Sequence, residues 1–280
     1  MVIDYEVEYD NRGRIPEHPE IFARWERETA AYRAATLGAE LGISYGPSPR
    51  QTIDLFPTGG ADAPLAMFIH GGWWRTLDPS MFNQMAKGPN AHGVSVAVVG
   101  YDLCPTVSVA TIIEQMRAAC LFLWKRYGKR IMVYGHSVGG HLAACMVATD
   151  FKKLSSDAPA DLVPAGYAIS GVYDLTPLLQ ITPNQDIRLD ETSAQTCSPL
   201  TWSLPAGRML DAVVGALESN EFLRQSRLIA ESWRQSGAQT RYEEIAGTNH
   251  FTVIDLLTDP ASAMTRRVVE LARGVQAKPR

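Results

Sequence analysis

Short apolar runs recur along most of the chain, and stretches with helical spacing of their apolar positions separate them. The runs predict strands, and the spaced stretches predict helices. The predicted strands are 51–56, 65–70, 94–100, 130–135, 165–170, 209–215 and 241–247. The predicted helices are 79–90, 108–127, 138–149, 219–236 and 260–274. This alternation of nearly continuous apolar strands with helices is typical of an α/β fold, with a mostly parallel central sheet covered by helices on both faces.

Two segments depart from the alternation. Residues 1–50 form an N-terminal arm with a short strand-like opening, and residues 16–35 place apolar side chains at helical spacing between charges. We expect that helix to dock on the domain. Residues 172–205 are irregular, polar and rich in proline, and a segment of that length inside a compact fold is more often a functional cap than a slack loop. Without a repeat or linker, we expect one domain over residues 1–280.

Composition and charge narrow the function classes. The chain has 280 residues, 46% of them hydrophobic, and a net charge of -4 from 26 basic and 30 acidic side chains. No basic run supports binding to nucleic acid or to an anionic membrane, so we expect a small-molecule substrate. The N-terminus lacks a signal-peptide pattern, and no apolar stretch approaches the ~18 residues of a membrane span, so we expect a cytoplasmic protein. Nothing in the sequence selects or excludes a homodimer.

The cysteine pattern gives no indication of a metal centre or a disulfide framework. No two cysteines form a CxxC pair, so we expect free thiols, most of them buried. The four are Cys104, Cys120, Cys145 and Cys197. We therefore expect neither a metal nor another cofactor.

The stretch MVYGHSVGGH at 132–141 contains the first candidate for chemistry. Residues 135–139 match G-x-S-x-G, with a predicted strand before the motif and a predicted helix after it. In a nucleophile elbow, the serine occupies a strained turn between strand and helix, and small neighbours make room for that turn. Gly135, Gly139 and Gly140 provide this room, so Ser137 is the predicted nucleophile. The alternative is a tight turn with an incidental serine.

A serine nucleophile needs a histidine as general base and a carboxylate that orients the histidine. On this kind of sheet the expected chain order is serine, acid, histidine. His250, in AGTNHF after the last predicted strand, is the histidine far downstream of Ser137. His141 follows Ser137 on the elbow helix, too close in sequence to reach back. We therefore predict that His250 is the general base.

Several carboxylates lie between Ser137 and His250, and the sheet geometry ranks them. The candidates are Asp174, Asp211, Glu218 and Glu221. Asp211 opens its strand, whereas sites on open α/β sheets form at the carboxyl ends of strands. Glu221 is explained as a helix-dipole residue, and Asp174 as a helix N-cap. Glu218 comes three residues past the glycine that ends the predicted strand 209–215, so it is the predicted acid.

The segment HGGWW at 70–74 follows a predicted strand and supplies the candidate oxyanion hole. Acyl transfer needs hydrogen-bond donors aimed at the tetrahedral oxyanion. Bare backbone N–H groups of Gly71 and Gly72 can approach a substrate oxygen, together with the N–H of Val138 after the nucleophile. We interpret His70 as a residue that organises the loop rather than as a catalyst.

Side chains beside the predicted oxyanion hole are candidates for substrate binding. Trp73 and Trp74 are costly to expose unless they line a pocket, which favours an aromatic substrate, although one of them could be ordinary core. Arg75 and Arg188 are candidates for meeting a substrate carboxylate, with solvation on exposed loops as the alternative.

These motifs resemble those of the α/β-hydrolase superfamily and, within it, the arylformamidase (kynurenine formamidase) branch. The resemblance covers nearly the whole chain and is most specific in HGG-x-W and in the stretch ending EF-x-x-QS. The matching stretches are HGGWW at 70–74, YDLCPTVSVATIIEQMRAA at 101–119, GHSVGGHLAA at 135–144, SGVYDLTPLL at 170–179, LESNEFLRQS at 217–226 and NHFTVIDLL at 249–257. Members of that branch usually carry aspartate where this sequence has Glu218.

The resemblance implies a serine hydrolase of the α/β-hydrolase fold that cleaves an aryl amide such as N-formylkynurenine or an N-acylanthranilate. It also implies no metal, because the HxGTH-type motif of the metal-dependent formamidases is absent. Two alternatives stay open at this point. The chain could be a small-molecule carboxylesterase, or a binding protein of the same fold that has lost its chemistry.

Overall fold

An eight-stranded sheet organises the residues that the computed structural model describes, 3–60 and 62–276. Its strands are β1 (Glu40–Ser44), β2 (Thr52–Phe56), β3 (Leu65–Ile69), β4 (Ser95–Val99), β5 (Ile131–His136), β6 (Ala165–Ile169), β7 (Met209–Gly215) and β8 (Gln239–Ile245). The strand order is β1-β2-β4-β3-β5-β6-β7-β8. From β4 to β8 all neighbours are parallel, whereas β2 runs antiparallel to both β1 and β4.

Helices cover both faces of the sheet, and each face has its own apolar core. The helices are α1 (Tyr5–Tyr9), α2 (Asn11–Arg14), α3 (His18–Ala35), α4 (Lys87–Ala91), α5 (Val109–Tyr127), α6 (Val138–Ala148), α7 (Asn184–Ile187), α8 (Glu191–Thr196), α9 (Asn220–Gln235) and α10 (Ala263–Gly274). One core holds buried residues of α5, α6 and α9. The other holds buried residues of α3 and α10. The predicted α/β-hydrolase fold is confirmed.

The structure corrects two local predictions and adds one strand. The stretch 79–90 is mostly two short 3₁₀ turns followed by α4 rather than one helix. The strand-like opening is helical, because the side chains of Asp4 and Asp10 cap α1 and α2. Helices this short have too few positions to show an apolar period. β1 was not predicted, since only Ile43 of this edge strand is even half-buried.

Both segments that depart from the alternation, the arm and residues 172–205, are folded. In the arm, Trp25 of α3 is 1% exposed, and its indole N–H donates to Asp255 at 2.8 Å. The segment 172–205 folds into a 3₁₀ turn (Thr176–Gln180), α7, α8 and a second 3₁₀ turn (Pro199–Thr201). None of the described helices is both long and apolar enough to cross a membrane.

Candidate active site

Ser137 occupies a strained turn between β5 and α6. Its backbone has φ 57° and ψ −125°, a conformation that costs energy for a residue with a Cβ. The turn requires glycine on both sides. A Cβ on Gly135 would lie 2.2 Å from the carbonyl oxygen of Gly139, and a Cβ on Gly139 would lie 2.0 Å from that of Ile69. The small residues of the motif therefore let the chain turn sharply and present the Ser137 side chain to a pocket.

Glu218 and His250 form a buried pair next to that pocket. Glu218 lies just past the end of β7, and His250 lies in the loop after β8, so both follow neighbouring strands at the same edge of the sheet. Glu218 Oε2 accepts a hydrogen bond from His250 Nδ1 at 2.6 Å. The side chains are 3% (His250) and 0% (Glu218) exposed, so water does not compete for this contact.

The other oxygen of Glu218 is held by two donors. The Ser170 hydroxyl donates to Oε1 at 2.6 Å, and the Gly215 N–H donates to the same atom at 2.7 Å. Ser170 follows β6 and, like Ser137, has a positive φ of 53°. These two bonds fix the carboxylate so that Oε2 faces His250. A polar residue directly after β6 is the signal that could have revealed Ser170 in the sequence.

His136 and Phe222 hold His250 from two further sides. His136 Nε2 donates to the backbone carbonyl of His250 at 2.7 Å. The ring centroid of Phe222 lies 4.5 Å from that of His250. Burial, and then the proximity of His250, lower the pKa of His136 well below its usual value. His136 therefore stays neutral and acts on the backbone of the loop rather than as a second base.

The structure brings Ser137 and His250 to one pocket without joining them. Among the residues that the structure describes, the Ser137 hydroxyl makes no hydrogen bond, and both residues line the pocket. Contacts between nucleophile and base are often long before substrate binds. Among the described residues, the structure thus contains the hydrogen bond between acid and histidine but not the one between histidine and serine.

The turn after β3 lies against Ser137. A Cβ on Gly71 would lie 2.9 Å from the Ser137 Cβ, so this position has room only for glycine. His70 Nδ1 donates to the Gly71 carbonyl at 2.7 Å, so this carbonyl points toward His70. Because the peptide is planar and trans, the N–H of Gly72 points away from His70. Across the described part of the chain, no acceptor pairs with the N–H groups of Gly71, Gly72 and Val138. The expected oxyanion donors are therefore available.

His70 is fully buried between aromatic rings and does not line the pocket. Its ring stacks on Tyr101 with a centroid distance of 4.4 Å. Burial lowers the pKa of His70 to about 4, so it is neutral at ordinary pH. It acts through its hydrogen bond to Gly71 as a loop-organising residue.

The two tryptophans of HGGWW have different environments. Trp73 is half-buried and lines the pocket. Trp74 is 0% exposed, packs edge-on against His141 with a centroid distance of 5.0 Å, and lies outside the pocket lining. The structure therefore places Trp73, but not Trp74, at the pocket where the sequence predicted both. Both have positive φ angles near 52°, so the turn sends adjacent side chains in different directions.

The rejected carboxylates have other partners. Asp211 is the third residue of β7 and accepts from Arg267 at 2.7 Å. Asp174 accepts from the Thr176 N–H at 3.0 Å at the start of a 3₁₀ turn. Glu221, in the first turn of α9, is paired with Arg224 at 2.8 Å. None of the three contacts His250.

The pocket itself has a volume of about 150 Å³, and six of its lining residues are phenylalanine, tyrosine or tryptophan. Its aromatic lining residues are Tyr9, Phe22, Trp25, Trp73, Phe82 and Phe251. Several of these come from the N-terminal arm, which the sequence predicted to dock but did not place at the site. Arg75 also lines the pocket and forms an ion pair with Asp186, whereas Arg188 lies outside the lining at the end of α7.

This fold, with a serine elbow, a buried acid–histidine pair and a glycine turn at one edge of the sheet, defines a hydrolase class. Residues 66–254 match the family model of the alpha/beta hydrolase fold. Since that match spans well over half of the chain, the protein belongs to this family and is a hydrolase.

Within the family, the chain is similar to proteins named kynurenine formamidase. The one from Salmo salar is 28% identical over 87% of this chain and 84% of its own length. The one from Drosophila melanogaster is 28% identical over 74% of this chain and 73% of its own. The resemblance to arylformamidases predicted from the motifs is therefore confirmed.

Solved structures show the same architecture. The crystal structure of a provisionally assigned thioesterase from Silicibacter sp. TM1040 has a TM-score of 0.87 and 29% identity, covering 95% of this chain and 99% of that one. The carboxylesterase EstE1, cloned from a metagenomic library, has a TM-score of 0.68 at 19% identity, covering 92% and 98%. The second likeness supports the fold alone.

Proposed function

We propose that the chain is a serine hydrolase that cleaves an aryl amide, such as an arylformamide or an N-acylanthranilate, through Ser137, His250 and Glu218. The observation that carries the proposal is the buried contact of 2.6 Å between Glu218 and His250 at the pocket that contains Ser137. A carboxylate held by two other donors and aimed at a histidine is the arrangement that a general base needs. The similarity to kynurenine formamidases supports the amide as the bond that is cleaved.

In the first half of the reaction, Ser137 Oγ attacks the carbonyl carbon of the amide. The Oγ proton passes to His250 Nε2, and the carbonyl electron pair moves onto oxygen. Glu218 keeps Nδ1 protonated and stabilises the imidazolium that forms. The oxyanion is bound by the N–H groups of Gly71, Gly72 and Val138, of which each is worth roughly 3 kcal/mol in such sites.

In the second half, the tetrahedral intermediate collapses and the C–N bond breaks. The proton on His250 Nε2 goes to the departing nitrogen, which leaves an acyl ester on Ser137. Water then attacks the ester, gives its proton to His250, and the acid departs as the Ser137 hydroxyl is restored. An aryl amine suits this site because its nitrogen lone pair is shared with the ring, which weakens the amide. The aromatic pocket provides the surface for that ring.

Replacement of Ser137 tests the assignment directly. We expect Ser137→Ala to lower kcat by several orders of magnitude, on the order of 10⁴-fold or more, and to abolish labelling by a fluorophosphonate. Ser236→Ala, at the exposed far end of α9, is the matched control and should keep both. Near-normal turnover by the folded Ser137→Ala protein would refute the mechanism. Absence of labelling in the unmodified protein would favour a binding protein without chemistry.

A substrate panel distinguishes an amidase from a carboxylesterase. It compares an aryl formamide, N-acylanthranilates with acyl groups from formyl to octanoyl, and a 4-nitrophenyl ester. We expect the highest kcat/KM for an aryl amide with a short acyl group, because the pocket is small. Turnover of the ester alone would assign the carboxylesterase function.

A further inference from the structure

The N-terminal arm forms one wall of the candidate active-site pocket. The segment that contains α1 and α2 contributes five lining residues, on a pocket that also contains Ser137 and His250. They are Glu6, Tyr9, Asp10, Asn11 and Arg12. A substrate bound at Ser137 therefore lies in a pocket that this segment partly encloses.

Buried contacts hold the wall in place. Tyr9 is 3% exposed, and its hydroxyl donates to Glu221 at 3.2 Å and accepts from Gln225 at 3.0 Å. Its ring packs edge-on against Trp73 and Phe222, with centroid distances of 5.8 and 5.4 Å. Since Trp73 lines the pocket and Phe222 contacts His250, the arm is anchored to the site itself rather than to a remote surface.

The acidic groups on this wall already have partners. Glu6 Oε2 accepts from the Thr182 N–H at 2.6 Å. Asp10 Oδ1 accepts from the Gly13 N–H at 2.9 Å and caps α2. Both carboxylates therefore stabilise the local structure by satisfying backbone donors.

The two arginines of the pocket differ in whether an acidic side chain pairs with them. Arg75 is paired with Asp186. Arg12 has no carboxylate within 4.0 Å in the part of the chain that the structure describes. Its guanidinium carbon lies 5.8 Å from the ring centroid of Phe22, which also lines the pocket. The ring keeps the guanidinium at the aromatic wall, with its N–H groups available to a ligand.

We propose that Arg12 binds a carboxylate carried by the substrate, so that the site favours aromatic amides or esters that are anionic. Arginine presents a planar fork of donors that matches a carboxylate in two parallel hydrogen bonds. The ring of such a substrate lies on the aromatic lining, its scissile carbonyl meets Ser137, and its carboxylate meets Arg12 at the mouth. This assignment rests on the proposed function, which places the scissile bond at Ser137. It gives the carboxylate-binding role to Arg12 of the arm instead of Arg75 or Arg188, the candidates from the sequence.

Matched substrates and matched variants test the inference. The substrates are phenyl acetate and its 2-, 3- and 4-carboxy derivatives, and formanilide with N-formylanthranilate. In Arg12→Gln we expect kcat/KM for the best carboxylated substrate to fall at least about 10-fold, mostly through KM, with neutral substrates within about 2-fold. Arg27→Gln, which removes the same charge from an exposed position of α3 outside the pocket, should leave both within about 2-fold. Added salt should reduce the preference, because Arg12 is exposed.

Two results would overturn the inference. An equal loss for neutral and carboxylated substrates in Arg12→Gln would make Arg12 a structural residue of the arm. An unchanged preference would make it a solvated surface charge.

A binding measurement separates this inference from the proposed function. The dissociation constant of 4-acetamidobenzoate is measured by calorimetry on Ser137→Ala, with and without Arg12→Gln, and does not depend on turnover. We expect about 10-fold weaker binding when Arg12 is replaced and no such difference for acetanilide. If the unmodified protein turns over no substrate but the binding difference is present, the proposed function fails and the carboxylate site stands. Equal or undetectable binding of the carboxylate in both proteins would refute the site.

Discussion

Replacing Ser170 with glycine tests how the candidate acid is oriented. The Ser170 hydroxyl provides one of the two hydrogen bonds to Glu218 Oε1, at 2.6 Å, and the Gly215 N–H provides the other. Ser170 has φ 53°, a conformation that glycine adopts without strain. Glycine therefore removes the hydroxyl and leaves the backbone undisturbed. Alanine removes the same hydroxyl and keeps the backbone strain that Ser170 already has.

The expected magnitude follows from the strength of that bond. A short hydrogen bond to a buried carboxylate contributes roughly 1.5–3 kcal/mol. Since each 1.36 kcal/mol corresponds to a factor of ten in rate, a loss felt mainly in the transition state lowers kcat by about 10- to 100-fold. The effect falls on kcat because Ser170 does not line the pocket and acts on His250 only through Glu218.

The assay measures kcat and KM on the best substrate, the rate of fluorophosphonate labelling, and unfolding in urea. We expect Ser170→Gly and Ser170→Ala to lose kcat and labelling rate to the same extent. The Gly variant should be about 1 kcal/mol more stable than the Ala variant, because glycine relieves the strain of the positive φ. A kcat within about 2-fold of the unmodified enzyme in both folded variants would refute the idea that this hydroxyl orients Glu218. A loss seen only with Gly would assign the effect to the freer backbone rather than to the hydroxyl.

Three further outcomes follow from the geometry. In the folded protein, Gly71→Ala should lower kcat at least about 100-fold, since the added Cβ would lie 2.9 Å from that of Ser137; normal kcat in kinetic assays would contradict this. Glu218→Gln should lose about 10³- to 10⁴-fold in kcat, whereas Glu218→Asp should retain more activity because it keeps a carboxylate; equal losses would contradict an orienting charge. Burial lowers the pKa of His141 from 6.5 to about 4, so the unfolded chain binds a proton that the folded one excludes, and stability present above pH 6.5 is lost toward pH 4. Between pH 7 and 5, the free energy of unfolding, measured in urea, should therefore fall by about 2 kcal/mol less for His141→Gln than for the unmodified protein. Equal decreases in the two proteins would contradict a neutral buried histidine.

Local sequence patterns predicted the parts of the site that depend on backbone shape. The strained turn at Ser137 and the HGG turn need small residues at fixed positions, so their motifs show in the sequence. The location of Glu218 followed from the rule that loops at the carboxyl ends of strands share one edge of a parallel sheet. Glu218 and His250 lie in separate loops, and the same rule predicts that these loops meet because they follow neighbouring parallel strands.

Side-chain direction was harder to predict. The sequence treats Trp73 and Trp74 as equivalent, whereas the turn between β3 and the following segment places Trp73 at the pocket and buries Trp74 against α6. Two positive φ angles in succession separate the side chains, and propensity does not reveal such angles in large residues.

The sequence by itself determined the alternation of strands and helices, the nucleophile turn, the glycine turn and the chain order of the candidate residues, because each depends on local periodicity or on steric room for the backbone. Only the tertiary structure decided which surfaces complete the pocket. Ser170, His136 and the arm residues Tyr9 and Arg12 reach the site through contacts between segments far apart in sequence. Such contacts arise from packing, which leaves no periodic signal along the chain.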